Sequence, residues 1–129
     1  MKESDISRAI QIEATKQGYR LFRQNVGLAW VGEVIRRTKT QVTLIDPRPL
    51  RAGLCRGSSD LIGWVTVSIG GRDLAILCAV EVKTPRGKVS DVQQNFIDRV
   101  NAAGGIAIIA RSPDEAMEKI AAAIAALNT

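Results

Sequence analysis

The spacing of apolar residues divides the chain into helical and extended stretches. Ile6, Ala9, Ile10 and Ala14 recur at helical spacing and predict a helix over residues 4 to 17, ended by Gly18. YRLFRQNV then alternates like a strand. Between residues 27 and 57 the pattern is less decisive. AWVGEVIRR and TQVTLID fit either a hairpin or two short strands, and DPRPLRAGLCRG reads as a loop from its prolines and glycines. DLIGWVTVSI and RDLAILCAVEVK flank Gly70-Gly71, a strong signal for a two-residue hairpin turn. Residues 90 to 103 predict a helix with Ser90 as N-cap and Phe96, Ile97 and Val100 as its buried stripe. GGIAIIA is a short buried strand. Ser112-Pro113-Asp114-Glu115 opens a last helix with a hydroxyl cap, a proline at the first position and acids in the first turn. Its inner face is expected to be Met117, Ile120, Ala121, Ile124 and Leu127. The order is helix, several strands, helix, strand, helix. No repeat or linker divides it, so residues 1–129 are expected to form one domain.

Charge and composition narrow the function. The net charge of +5 suits a polyanionic partner. The positive charge is concentrated between Arg23 and Arg56, where only Glu33 and Asp46 oppose Arg23, Arg36, Arg37, Lys39, Arg48, Arg51 and Arg56. The chain has no histidine. That excludes Ser-His-Asp and Cys-His catalysis, histidine-ligated zinc and imidazole acid/base chemistry. Catalysis here must run on carboxylates, lysine, hydroxyls or a bound metal. Cys55 and Cys78 share no metal-type spacing and fit a reducing cytoplasm, with Cys78 expected to be buried in a strand. Charges interrupt every apolar run well short of the ~20 residues of a membrane span, so no membrane partner is expected. MKESDIS is too polar for a signal peptide.

The hairpin carries the chemistry. A two-residue turn pairs Ile69 with Arg72 and, further along, sets Asp60 opposite Glu81. Alternation then gives one face Leu61, Val65, Val67, Ile69, Leu74, Ile76, Cys78 and Val80, a core face. The other face takes Asp60, Ile62, Trp64, Ala75, Leu77, Ala79, Glu81 and Lys83, apolar in its middle and charged at one end. Directly opposed side chains have Cβ atoms ~4.5–5.5 Å apart, where two carboxylates repel. A cation between them relieves that repulsion, and magnesium is a good match for such a site. Glu-x-Lys alone occurs by chance in many strands, often as a simple ion pair. Registration with Asp60 tips the reading toward a metal site, and a three-residue turn would undo it by moving Asp60 across the sheet. Trp30 and Trp64 read as core or interface residues. With two Trp, one Tyr and two Phe in the chain, a base-stacking surface has little support.

GSSDLIG (residues 57 to 63), EVK (81 to 83) and GKVSDVQQNFI (87 to 97), in that order, resemble the VRR-NUC (virus-type replication-repair nuclease) domain, a branch of the PD-(D/E)xK nucleases. ESDISRAI, Gly18 and FRQNVG extend the resemblance, which runs from about residue 3 to residue 112. It implies an α/β fold: a restriction-endonuclease-like core with a mixed central β-sheet flanked by helices, in the order α-β-β-β-α-β-α. It implies metal ligation by Asp60, Glu81 and the backbone carbonyl of Val82, with Lys83 as the catalytic lysine. The family's early-helix glutamate corresponds to Glu3, with Glu13 as the fallback, and the glutamine of the following helix to Gln93. Gln93 also stands three residues after Ser90, where it completes a capping box. Ser59 replaces the usual proline, and Ser7 stands where a glutamine is expected. The implied cofactor is Mg2+, with Mn2+ able to substitute. The implied partner is DNA, branched, bound by a homodimer resembling Holliday-junction resolvases, in a bacterium or its virus. Arg23, Asn25, Arg36, Arg37, Arg56, Arg86 and Lys88 are candidate DNA contacts. The competing expectations are the same chemistry on flaps or duplex DNA, and a DNA-binding module without catalysis.

Overall fold

Leu61, Val65 and Val67 are fully buried while the intervening Trp64, Thr66 and Ser68 are exposed, and this alternation orients the sheet around which the chain folds. A computed structural model describes residues 1–127. Its elements are α1 (Glu3–Lys16), β1 (Arg20–Arg23), β2 (Gly27–Arg37), β3 (Val42–Ala52), β4 (Leu61–Ile69), β5 (Arg72–Val82), α2 (Asp91–Ala102), β6 (Ile106–Ala110) and α3 (Pro113–Leu127). The main sheet has the order β1-β4-β5-β6. β4 is antiparallel to both of its neighbours, β1 and β5, and β6 runs parallel to β5. A parallel neighbour needs a long crossover, and α2 supplies it. The result is the mixed sheet between helices expected of a restriction-endonuclease-like core. Five strands rather than three precede α2, because β1 is separate and the region after it forms a pair of its own.

The turn between β4 and β5 is the expected one. Gly70 and Gly71 have φ of +58° and +79°, the two left-handed residues of a tight hairpin turn. Ile69 pairs with Arg72, and the ladder continues without a slip to Leu61 opposite Val80. Ile6, Ile10 and Ala14 of α1 and Ala116 and Ile120 of α3 pack with Leu61, Val65 and Val80 on one face. On the other face Ile97 and Val100 of α2 pack with Ala79 and Ala107. Asn101 fastens that layer: its Nδ2 donates to the Ala107 carbonyl at 3.0 Å and its Oδ1 accepts from the Ala107 N–H at 2.8 Å. Within α3 Ala116 and Ile120 are buried, and Met117, Ala123, Ile124 and Leu127 pack against the same core; of the expected inner face only Ala121 is exposed. Ile69 is likewise exposed, at the hairpin tip beyond the cover of the helices.

Residues 27–52 fold into a hairpin, β2 with β3, that forms a separate two-stranded ribbon. The stretch from Asp46 to Ala52, expected to be loop, is the second half of β3. Pro47 and Pro49 are tolerated because β3 has a neighbour on one side only, so a missing N–H on its outer edge breaks no ladder. Asp46, at φ +48°, marks an irregularity where Ile45 and Arg48 pair with Glu33 and Val31.

Candidate active site

Asp60 immediately precedes β4, so the β4–β5 ladder brings it to the end of β5 where Glu81 stands. Its Oδ2 accepts a hydrogen bond of 2.9 Å from the Val82 N–H. Glu81 lies on the central strand, between β4 and β6, and is only 1% exposed. Its Oε1 is 3.5 Å from Lys83 Nζ, and its Oε2 is buried without a hydrogen-bond partner. Asp60, Glu81 and Lys83 are thus brought together as their spacing predicts. Val82, whose carbonyl is the ligand the resemblance implies, meets Asp60 through its amide N–H.

Burial first, and the neighbouring Asp60 charge second, push the Glu81 carboxyl up to about 7, against the downward pull of Lys83. A buried carboxylate with one oxygen unmatched and a second acid beside it is costly in water-free surroundings. That arrangement suits a hard divalent cation: the donors are all oxygen, and the charge to be balanced is negative. Among the described residues no group of three or more His, Cys, Asp or Glu side chains is placed to hold a metal, so Asp60 and Glu81 form a pair without a third acid.

Glu3 does not join them. It is exposed in the first turn of α1, which packs on the sheet face opposite to α2, whereas Glu81 alternates onto the α2 face with Ala79. Glu13 is tied to Lys16 at 3.1 Å near the other end of the same helix. Ser7, where the family pattern has glutamine, is buried with its hydroxyl unpartnered. Gln93 completes the capping box with Ser90: its Oε1 accepts from the Ser90 N–H at 3.0 Å, and its own N–H donates to Ser90 Oγ at 3.2 Å. Burial pushes the Cys78 thiol up to about 12, as suits a packing residue inside β5.

Two further residues shape the site that the sequence did not single out. The first is Gln24, the centre of FRQN. Its Nε2 donates to Ser58 Oγ at 2.7 Å and to the Ser59 carbonyl at 2.6 Å, its Oε1 accepts from the Leu54 N–H at 2.9 Å, and its own N–H donates to the Asp60 carbonyl at 2.9 Å. It holds the loop that delivers Asp60. Gly57 in that loop, at φ +85°, lies so close to Val92 of α2 that a Cβ would meet Val92 Cγ1 at 2.3 Å. The second is Arg111, whose Nη1 donates to the Thr84 and Gly87 carbonyls at 2.7 Å each and pins the turn after Lys83. The signal for Gln24 is its place in FRQN at a strand end, where an amide can serve as donor and acceptor at once. Arg111 is distant in sequence from the turn it holds, and only the β5–β6 pairing brings the two together.

The basic residues do not form one surface in sequence order. Arg36, Arg37 and Lys39 lie at the tip of the ribbon, ~30 Å from its root by strand rise. Arg23 and Arg56 lie at the root, close in sequence to Gln24 and to the Asp60 loop. Arg86 and Lys88 follow Lys83. All of these, with Asn25, are exposed. Trp30 and Trp64 are exposed too, neither in the core, and Trp64 stacks obliquely with Phe22 at 5.7 Å between ring centres. Among the described residues no helix is long and apolar enough to cross a membrane. Compared with known families, residues 1–114 match the model described as the VRR-NUC domain. No curated protein matches the chain.

Proposed function

The chain belongs to the VRR-NUC domain family, and from that premise we propose that it is a metal-dependent, structure-selective endonuclease that hydrolyses DNA phosphodiester bonds at four-way junctions as a homodimer. Family membership supports a nuclease-type function. The observation that carries metal-dependent hydrolysis is Glu81: a buried carboxylate with an unmatched oxygen, beside Asp60 and 3.5 Å from Lys83.

In this reading Asp60 and Glu81 hold Mg2+, with Mn2+ as a substitute. Once bound, such a cation supplies neutralising charge for the scissile phosphate and hydroxide at neutral pH. Lys83, with its side chain largely buried, directs its ammonium toward the reacting phosphate and stabilises negative charge developing there. Gln24 keeps Asp60 in position, and Arg111 keeps the backbone after Lys83 in position. Glu3 assists at most from outside this cluster. Exposed Arg23, Arg56, Arg86 and Lys88 bind the DNA backbone near the site, without reading bases. A two-fold dimer presents two such sites, which suits symmetric cuts in a symmetric junction.

The test is cleavage of one preparation's labelled four-way junction, flap and linear duplex, with Mg2+ or with chelator. The reading expects Mg2+-dependent cuts with the junction preferred, and Lys83→Ala that still binds the junction but no longer cuts it. Equal cutting of all three substrates would remove the junction preference. Binding without cutting by the wild type would leave a DNA-binding module.

A further inference from the structure

Cross-strand pairing lays out the sheet face that carries Glu81 in rows. One row is Phe22, Ile62 and Ala79, and the next is Arg20, Trp64 and Leu77. Counted along β5, these rows lie ~7 and ~14 Å from Glu81. Helix α2 covers the face over β5 and β6, where Ala79 and Ala107 are buried. Over β1 and β4 the face is open: Phe22 is 54% exposed and Trp64 42%, with Leu77 beside it at 45%. The rings of Phe22 and Trp64 rest on each other with their planes inclined by 44°. Beyond Leu77 lies a cavity of about 360 Å³, lined by Leu77, Phe96, Arg99, Val100 and the turn at Gly104-Gly105. So few aromatic residues spread over a surface would make no stacking site, but the fold gathers Phe22, Trp64 and Phe96 at one face.

We infer that Phe22 and Trp64 form a platform on which an unpaired base of the DNA stacks, beside the branch point that is cut. This rests on the nuclease reading above and gives its structure selectivity a place in the fold. Three observations carry it. The first is position: the rings share a sheet face with Glu81, one and two rows away, so a base on them is joined by its own backbone to a phosphate at the acids. The second is chemistry. Every base has a π-face, so an aromatic platform takes any base, but only one whose face is free. Inside a continuous duplex both faces are already stacked; at a branch point that stacking is interrupted. The platform therefore reads structure without reading sequence. The third is charge. Exposed Arg20 stands on one side of Trp64 and exposed Arg99 beyond Leu77 on the other, as phosphates flanking the base require. Among the described residues, the strands carry no acid on this face between Glu81 and Asp73 at the hairpin tip. Cations at both ends of the apolar row favour a polyanion over a protein as its occupant.

Fluorescence anisotropy of a labelled four-way junction and of a linear duplex, in chelator, tests this on the full chain with Phe22→Leu, Trp64→Leu and Trp64→Phe. Leucine keeps the apolar bulk and removes the aromatic face; phenylalanine keeps the face. Circular dichroism, light-scattering mass and Mg2+-dependent cleavage are measured on every sample. Each leucine variant should bind the junction roughly tenfold more weakly. Duplex binding should stay as in wild type, and Trp64→Phe should recover most of the loss. A 2-aminopurine at the branch point needs no variant: its emission should fall on binding to the wild type, while one within an arm stays unchanged. Unchanged emission at the branch point overturns the platform. Unchanged junction affinity in both leucine variants, with cutting intact, overturns it and leaves the nuclease standing. Equal losses on junction and duplex overturn it as well, since the rings are then a general contact. A changed mass in the leucine variants makes this face an interface between proteins and also overturns it. Selective loss of junction binding, with a wild type that binds but never cuts, sustains the platform and removes the nuclease.

Discussion

Glu81→Gln should make the metal-free protein more stable relative to wild type as the pH rises. In the folded chain burial and Asp60 raise this carboxyl from its ordinary 4.5 to about 7. Below 4.5 both the folded and the unfolded chain hold the proton, and Glu81 carries no penalty. Between 4.5 and 7 the unfolded chain sheds its proton while the folded chain keeps it, so wild-type stability falls with rising pH. Above 7 the penalty is complete. At ~1.4 kcal/mol per tenfold in proton affinity, its full size is about 3 kcal/mol. Glutamine does not titrate, so it escapes this penalty. It does bury an amide beside Lys83 and Asp60, at a cost of ~1–3 kcal/mol that is present at every pH. The pH-dependent part is therefore the clean quantity. Urea unfolding in chelator at pH 4, 6 and 8 should show the variant gaining about 2–3 kcal/mol on wild type from the lowest pH to the highest. Adding Mg2+ at pH 8 should stabilise wild type and leave Glu81→Gln unmoved. A gap between the two proteins that stays flat with pH, or that turns against the variant as pH rises, would refute the assignment of Glu81 as a strained acid.

Gln24→Ala removes the amide that joins Leu54, Ser58 and Ser59, so it should cost about 2 kcal/mol in urea unfolding. It should also weaken Mg2+ binding ~10–100-fold by calorimetry, as loss of an outer-shell support does. Asn101→Ala should cost a similar ~2 kcal/mol through its two bonds to Ala107, yet leave Mg2+ affinity as in wild type, since it acts on the α2–β6 contact alone. Arg111→Ala frees the turn after Lys83; single-turnover cleavage should slow about tenfold or more while Mn2+ binding is kept, because the acids are untouched.

Much of this architecture is local and therefore legible in the sequence. Gly70-Gly71 fixes a turn, the turn fixes a register as far as Leu61 opposite Val80, and Asp60 is the next residue along. The helices were readable for the same reason: the Ser90–Gln93 capping box and the stripe of Ile97 and Val100 are written within one or two turns. The prolines of β3 misled because their usual meaning assumes neighbours on both sides, and an unflanked ribbon imposes no such condition. Where Glu3 stands relative to the Asp60–Glu81 pair was not legible, for a different reason. Spacing along a helix does not say on which layer of the sheet that helix rests. Arg111 was invisible as a site residue because its partners, Thr84 and Gly87, are set by tertiary closure, as are the partners of Gln24 from Leu54 to Ser59.

The account depends on Asp60 and Glu81 sharing one divalent ion, and titration of Mn2+ followed by electron paramagnetic resonance measures that directly. The wild type should remove one equivalent of Mn2+ from the free signal, with Mg2+ competing for it, and Asp60→Ala should leave the signal of free Mn2+ intact. Equal binding by the wild type and Asp60→Ala would contradict it.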